Sequence, residues 1–256
     1  MDFPVNRFKQ GLLRRDVQIG LWCTLANHVA AEIVSDSGFD WLLLDTEHSP
    51  NEVPDILRHL QAVQGGSASP VVRVAWNDSV LIKRVLDVGA QTILVPYVQN
   101  AEEARKAVAA ARYAPAGIRG VTGSGRASRY GRVKDYLKKA DAEVAVLVQV
   151  ETREALAEID AIAAVDGVDG VFIGPSDLSA SFGLIGQPLS PVIQAEIEKA
   201  GNKLRKAGKA AGILAGSVED SKRYIDWGYT FVAAGVDTVL LARAADELAA
   251  RMKQKG

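Results

Sequence analysis

The chain has 256 residues, 30 Lys and Arg against 31 Asp and Glu, and 48 % hydrophobic residues. At roughly 150 residues per domain this allows one large domain or two small ones. The composition excludes a largely disordered chain, and the balanced charge argues against a nucleic-acid-binding protein by bulk electrostatics.

Short apolar runs alternate with helical patterns from end to end. A strand over 17–23 (VQIGLWC) precedes a helix over 28–37, and DWLLLD (40–45) precedes one over 51–63. PVVRV (70–74) leads to a helix over 78–88, and TILVP (92–96) to one over 100–112. EVAVLVQV (143–150) leads to 152–164, GVFIG (170–174) to 190–207, KAAGIL (209–214) to 217–226, and TFVAA (230–234) to 237–254. The runs are apolar on both faces, as strands covered by helices must be. Asn51, Asn100, Thr152, Ser190 and Ser217 stand where caps are wanted, and Asp220 three residues after Ser217 resembles a capping box. Eight strand–helix units in about 250 residues predict a (β/α)8 TIM barrel, 1–256, as a single domain. A doubly wound sheet is the alternative, weakened because no Gly-x-Gly-x-x-Gly follows the first strand.

One segment breaks the rhythm. Between the fourth predicted helix and the fifth strand, residues 113–141 make an excursion carrying Arg119, Arg126, Arg129, Arg132, Lys134, Lys138 and Lys139. It is either a solvated insertion or a binding or subunit-contact arm. Cys23 is the one cysteine, so no internal disulfide exists; in IGLWCTL it reads as a small buried hydrophobe, with a nucleophile as the alternative. The N-terminus lacks a signal-peptide pattern and no 18-residue apolar window occurs, so a cytoplasmic chain is expected.

In a barrel of this kind the chemistry is built at the C-terminal ends of the strands. Strand two ends in Asp45-Thr46-Glu47-His48, strand three at Arg73, strand five in Gln149-Val150-Glu151, strand six in Gly174-Pro175-Ser176-Asp177. Glu151 and Asp177 follow consecutive strands, ~4.8 Å apart, close enough to share one divalent cation. Their hard oxygens favour Mg2+ or Mn2+ over a structural zinc. The alternative is that each carboxylate caps the helix after it. His48 is the only histidine expected at the rim and is the natural general base; His28 and His59 fall within predicted helices. Arg73 ends a buried strand, as a fork for a substrate carboxylate or carbonyl or as an internal ion pair with Asp45 or Glu47. A metal, a fixed cation and a neutral base suit enolate chemistry on a 2-oxo acid. No lysine ends strands two to six, which counts against a Schiff-base aldolase.

At these residues the sequence resembles the class II pyruvate aldolases of the HpcH/HpaI family, the 4-hydroxy-2-oxo-heptanedioate and 2-oxo-3-deoxy acid aldolases. The likeness rests on IGLW (19–22), GFDWLLLDTEHSPN (38–51), PVVRVAWND (70–78), PAGIRGV (115–121), LVQVETREA (147–155) and GVDGVFIGPSDLSA (167–180). It implies reversible cleavage of 4-hydroxy-2-oxo acids to pyruvate, or a related 2-oxo acid such as hydroxypyruvate, and an aldehyde, with Mg2+, Mn2+ or Co2+. By the resemblance the metal carboxylates are Glu151 and Asp177, and the substrate contacts are Gln149, Ser176 and Arg73. The base is His48, and the acid that supports it is Asp87. Asp87 falls at a helix end far from its own rim, so it would reach His48 from a neighbouring subunit; Asp45 is the intramolecular competitor. Trp22, Val121 and Leu214 are candidate walls for the aldehyde. VTGSGRAS (121–128) is about one residue short of the usual loop, and CTLANH (23–28) differs in composition, so the acceptor is not fixed by the resemblance. A homo-oligomer, by resemblance a hexamer, is expected, with LLARAADELAARM (240–252) able to pack on a neighbour. Two other readings compete: a metal–enolate lyase acting on a CoA thioester or phosphorylated oxo acid, and a barrel that binds an oxo acid without turnover.

Overall fold

The computed structural model describes residues 1–253. Eight parallel strands close into a barrel in sequence order: β1 (Gln18–Cys23), β2 (Trp41–Asp45), β3 (Ser69–Arg73), β4 (Thr92–Val95), β5 (Ala145–Val150), β6 (Gly170–Ile173), β7 (Ala210–Leu214) and β8 (Phe231–Val236). The (β/α)8 expectation holds, and closure through β1 and β8 removes the doubly wound alternative.

The helices are α1 (Arg7–Arg14), α2 (His28–Ser35), α3 (Val53–Ala62), α4 (Ser79–Asp87), α5 (Ala101–Ala111), α6 (Tyr136–Glu143), α7 (Arg153–Ala157), α8 (Ile159–Ala163), α9 (Pro175–Ser181), α10 (Pro191–Lys206), α11 (Val218–Asp226) and α12 (Asp237–Lys253). Residue 254 of the expected last helix, and 254–256 of the expected domain, lie outside the described residues. Three helices were not anticipated: α1, α6 and α9. The helix expected over 152–164 divides at Glu158 into α7 and α8. The fifth strand starts at Ala145 rather than 143, because Glu143 ends α6 and accepts from the Asn6 amide at 2.7 Å. Asn100, Thr152 and Ser217 cap as expected. Asn51 does not: Glu52 and Asp55 form the capping box of α3. Ser190 stands at the N-cap of α10 with no side-chain cap bond, ahead of Pro191.

Inward positions of the strands alternate large rings with small residues. Trp41 and Phe231 fill the barrel because Gly20 and Gly212 stand opposite them; a Cβ at either glycine would collide with the facing ring. Phe8 of α1, fully buried, plugs the N-terminal end against Trp41 and Phe231 at 5.7 and 5.8 Å. A second layer of aliphatic side chains packs the outer strand faces onto the helices. The N-terminal mouth is therefore closed by rings, and the C-terminal end is left open.

α12 departs from this plan. Asp237 at its start accepts from the amides of Thr24 and Leu25 and so holds the loop after β1. Beyond it, every residue from Val239 to Lys253 is exposed, including Leu240, Leu241, Leu248 and Met252. No helix among the described residues is long and apolar enough to cross a membrane.

Candidate active site

Asp45, the last residue of β2, is the hub of the C-terminal rim. β2 pairs with β3 so that Asp45 faces Arg73. The guanidinium donates to both carboxylate oxygens, Nε to Oδ1 at 2.8 Å and Nη2 to Oδ2 at 2.6 Å. Trp22 Nε1 donates to the same carboxylate at 3.2 Å, and the Arg73 guanidinium lies 4.9 Å from the Trp22 ring centroid. Burial opposes the charge on Asp45, but the bonds and charge of Arg73 outweigh it and hold the carboxyl below its ordinary range. Arg73 Nη1 lies 2.6 Å from Glu47 Oε2, so both internal partners weighed from sequence are present. Arginine has five N–H groups, and the fork keeps donors for the cleft that it lines.

The loop after β2 is tied back to the same hub. The Thr46 amide and hydroxyl both donate to the Arg73 carbonyl, at 3.0 and 2.7 Å. Ser49 Oγ and Asn51 Nδ2 donate to the Asp45 carbonyl at 2.6 and 2.8 Å. Asn51 is thus spent on loop geometry, which is why it does not cap α3. This loop presents His48 at the cleft with 66 % of its side chain exposed, and Glu47 Oε1 lies 3.9 Å from its Nε2. Asp45 makes no hydrogen bond to His48; its oxygens are held by Arg73, Trp22 and the Glu47 amide.

Glu151 stands just past β5, where the register that sets Val150 against Ile173 brings it level with Gly174. Its Oε1 accepts the Tyr97 amide at 2.8 Å and its Oε2 accepts Gln149 Nε2. Gly174 is required here, since a Cβ would press onto Glu151 Oε2. Burial pushes the Glu151 carboxyl up to about 7; Glu47 and Asp177 add to the rise, while the Gln149 and Tyr97 bonds oppose it. Glu47 is likewise raised to about 7, by burial first, against the pull of Arg73 and with Asp45 and Asp177 adding. Asp177 and Ser176 sit in the first turn of α9 and line the cleft with Arg73, His48 and Gln149. Trp22 and Leu214 form its apolar wall, and Gln149 Oε1 has no partner among the described residues.

Two sequence candidates are not brought to this cleft. Asp87 ends α4 at the opposite, N-terminal end of the barrel, where Arg119 Nη2 donates to its Oδ1 at 3.2 Å. Val121 is 66 % exposed beside the same region and does not line the cleft within the chain. The basic excursion folds onto that end too: Arg126 donates to the carbonyls of Val88 and Leu60. Cys23 is buried, and burial, with Asp237 adding, pushes its thiol far up, which removes the nucleophile reading. His28 is exposed and His59 packs within α3, as the helix assignments implied.

Sequence reading treated Glu47 only as an ion-pair partner of Arg73, whereas it stands between Arg73 and His48. It missed the Tyr97 amide and the space kept by Gly174. The glycine carried a signal, standing level with Glu151 at the end of a buried strand; a main-chain donor carries none.

Residues 18–244 match the family model described as HpcH/HpaI aldolase/citrate lyase. The chain belongs to that family. Its similar relatives are named aldolases, a class of carbon–carbon lyase, and this chain is an enzyme of that class. It is 57 % identical over 247 residues to the 4-hydroxy-2-oxo-heptane-1,7-dioate aldolase of Salmonella arizonae, covering 96 % of this chain and 94 % of that one. It is 57 % identical over 251 residues to the pyruvate aldolase of Rhizobium etli, covering 98 % and 99 %. Among solved structures, an HpcH/HpaI aldolase/citrate lyase family protein from Burkholderia cenocepacia superposes with a TM-score of 0.94 at 36 % identity, covering 98 % of this chain and all of that one.

Proposed function

We propose that the chain is a divalent-cation-dependent aldolase that reversibly cleaves 4-hydroxy-2-oxo acids to pyruvate, or a close 2-oxo acid such as hydroxypyruvate, and an aldehyde. The observation that carries this reading is the convergence of Arg73, His48, Gln149, Ser176 and Asp177 on one cleft beside Glu151. The residues fit a hard cation. Glu151 and Asp177 are oxygen donors, Gly174 leaves the flank of Glu151 open, and the burial that raises Glu151, with Glu47 and Asp177 adding, calls for positive charge beyond Arg73. When bound, the cation supplies charge against the oxygen that becomes negative in the enolate. Mg2+, Mn2+ and Co2+ are the candidates, with hard donors favouring the first two.

The chain's own residues do the remainder. Arg73, fixed by Asp45, presents its spare N–H groups to the 2-oxo acid, where the developing oxyanion needs a preorganised donor. Gln149 and the start of α9 at Ser176 orient the same half. His48 takes the proton from the C4 hydroxyl; the O–H pair forms the aldehyde carbonyl, and the C3–C4 bonding pair passes into the enolate. Protonation at C3 then gives the pyruvyl methyl group. Trp22 and Leu214 give the aldehyde an apolar wall. The basic excursion, the feature that favoured a CoA or phosphorylated substrate, lies at the far end of the barrel and supports no such substrate at this cleft.

Within this reading the enzyme is a cytoplasmic homo-oligomer, a hexamer by family. Helical stability in proteins comes mostly from packing an apolar face, and Asp237 is the only buried residue of α12 while Leu240, Leu241 and Leu248 are exposed. We place it against another copy, and we place Asp87 and Val121 beside a neighbour's cleft. Incubation with Mn2+ and a panel of 4-hydroxy-2-oxo acids, coupled to pyruvate detection, tests the activity. Turnover abolished by EDTA is expected; pyruvate release that survives EDTA, or none with any acid, contradicts it. Light scattering that shows a fully active monomer removes the oligomer and the role of Asp87 together.

A further inference from the structure

Tyr97 is a residue other than glycine held in the left-handed region, at φ 55°, just beyond β4. An L-residue pays to sit there, and such positions cluster where function needs them. Its amide donates to Glu151 Oε1 at 2.8 Å. The Val98 amide donates to the Gln149 carbonyl at 3.0 Å, so the turn lies directly against the end of β5. The ring of Tyr97 stacks on Trp76, in the loop after β3, with centroids 5.7 Å apart and planes 26° from parallel. Both rings are half open to solvent, at 43 and 53 %, so the stack fills no core. Trp76 is anchored in turn: its carbonyl accepts the amide of Asp78, the cap of α4, and Asn77 Nδ2 donates to the Glu103 carbonyl of α5.

We propose that Tyr97 and Trp76 are positioning residues for the metal carboxylate: the stacked rings hold the strained turn whose amide fixes Glu151, and so set the affinity for the divalent cation. The inference rests on the metal reading above and deepens it. One Glu151 oxygen is held by Tyr97 and the other by Gln149, which fixes the plane of the carboxylate and aims its remaining lone pairs. Without the Trp76 contact the ring no longer opposes relaxation of Tyr97 to an extended backbone, and the amide then leaves Oε1. Groups that orient a metal ligand are typically worth 10–100-fold in metal affinity.

The test is a calorimetric titration of Mn2+ into the whole protein without substrate, with circular dichroism as the fold check. Tyr97→Ala and Trp76→Ala should each weaken Mn2+ binding about tenfold, and the double variant should be no weaker than either single one, because both act through one turn. Tyr97→Phe and Trp76→Phe keep a stacked pair and should bind within about twofold of the parent, since only the ring contact is needed. Tyr97→Gly is the decisive variant. Glycine takes the left-handed turn at no steric cost, so it should lose less affinity than Tyr97→Ala although it too lacks the ring. Equal losses in Tyr97→Gly and Tyr97→Ala, or parental binding by Tyr97→Ala, overturn the inference while leaving the metal site in place. A parent that takes up no Mn2+ overturns the metal reading and this inference with it.

Discussion

Two buried arginines occupy opposite ends of the barrel and are used differently. Arg73, at the C-terminal rim, grips both oxygens of Asp45, touches Glu47 and lies over the Trp22 ring. Arg119, at the N-terminal end, is as deeply buried and also lies over an aromatic ring, Tyr113 at 4.5 Å. Yet it has one carboxylate contact, to Asp87, and its Nε and Nη1 have no partner among the described residues. Asp87 itself keeps 28 % of its side chain exposed. A buried guanidinium is ordinarily satisfied. In the first network both oxygens of the partner carboxylate, Asp45, are held by groups of the same chain. The second ends on a carboxylate that faces outward, which is the arrangement wanted if Asp87 serves a neighbouring copy.

The largest expected effect comes from breaking the network at Arg73. Arg73→Lys should lower kcat by about 10²-fold or more, because one lost oxyanion donor costs 10²–10³ and lysine cannot reproduce the fork. Steady-state kinetics that show only a raised KM would make Arg73 a uniform binding residue. Next, Asp45→Asn should destabilise the fold by about 3–5 kcal/mol, the usual cost of breaking a buried pair, read as a lower denaturation midpoint. Its counterpart Asp87→Asn should cost less, because Asp87 is partly exposed and asparagine keeps an oxygen that can accept from the buried Arg119. The two should then exchange roles in the pH profile. Asp87→Asn should move the acid limb of kcat/KM to lower pH, since an opposite charge beside a histidine favours its protonated form, and Asp45→Asn should leave that limb in place. A larger shift from Asp45→Asn makes the His48 partner intramolecular.

The smallest effect is in the pH dependence of stability. Glu47 and Glu151 are raised from 4.5 to about 7 in the folded chain. Between those values the native state holds protons that the unfolded state releases, so these groups make metal-free stability fall as pH rises through the window. A cation on Glu151 offsets the loss. The gain in melting temperature on adding Mn2+ should therefore be larger above pH 7 than near pH 5; a gain independent of pH separates the metal from these carboxylates.

The same contrast shows what a sequence makes legible. The eight strands were readable because they are buried on both faces and therefore apolar throughout. Strand ends then pointed to Asp45, Arg73, Gln149, Glu151 and Asp177. α1 and α6 fall outside the strand–helix alternation, one before β1 and the other inside the charged excursion, and Phe8 gives no local sign that it plugs a barrel. α9 hid inside the Gly-Pro-Ser-Asp motif that was read for chemistry. The position of Asp87 at a helix end was legible; its partner Arg119, 32 residues away, was not. Tyr97 acts through its amide, which every residue but proline possesses, so its side-chain identity could not announce the role.

The most direct test of the account is Mn2+ binding by calorimetry to the parent, Glu151→Gln and Asp177→Asn. Both substitutions keep shape and remove one of the two charged oxygen ligands of the proposed site. The account predicts a single class of site per chain in the parent and loss of binding in both variants, with the fold retained by circular dichroism. Either variant binding Mn2+ as tightly as the parent would contradict it.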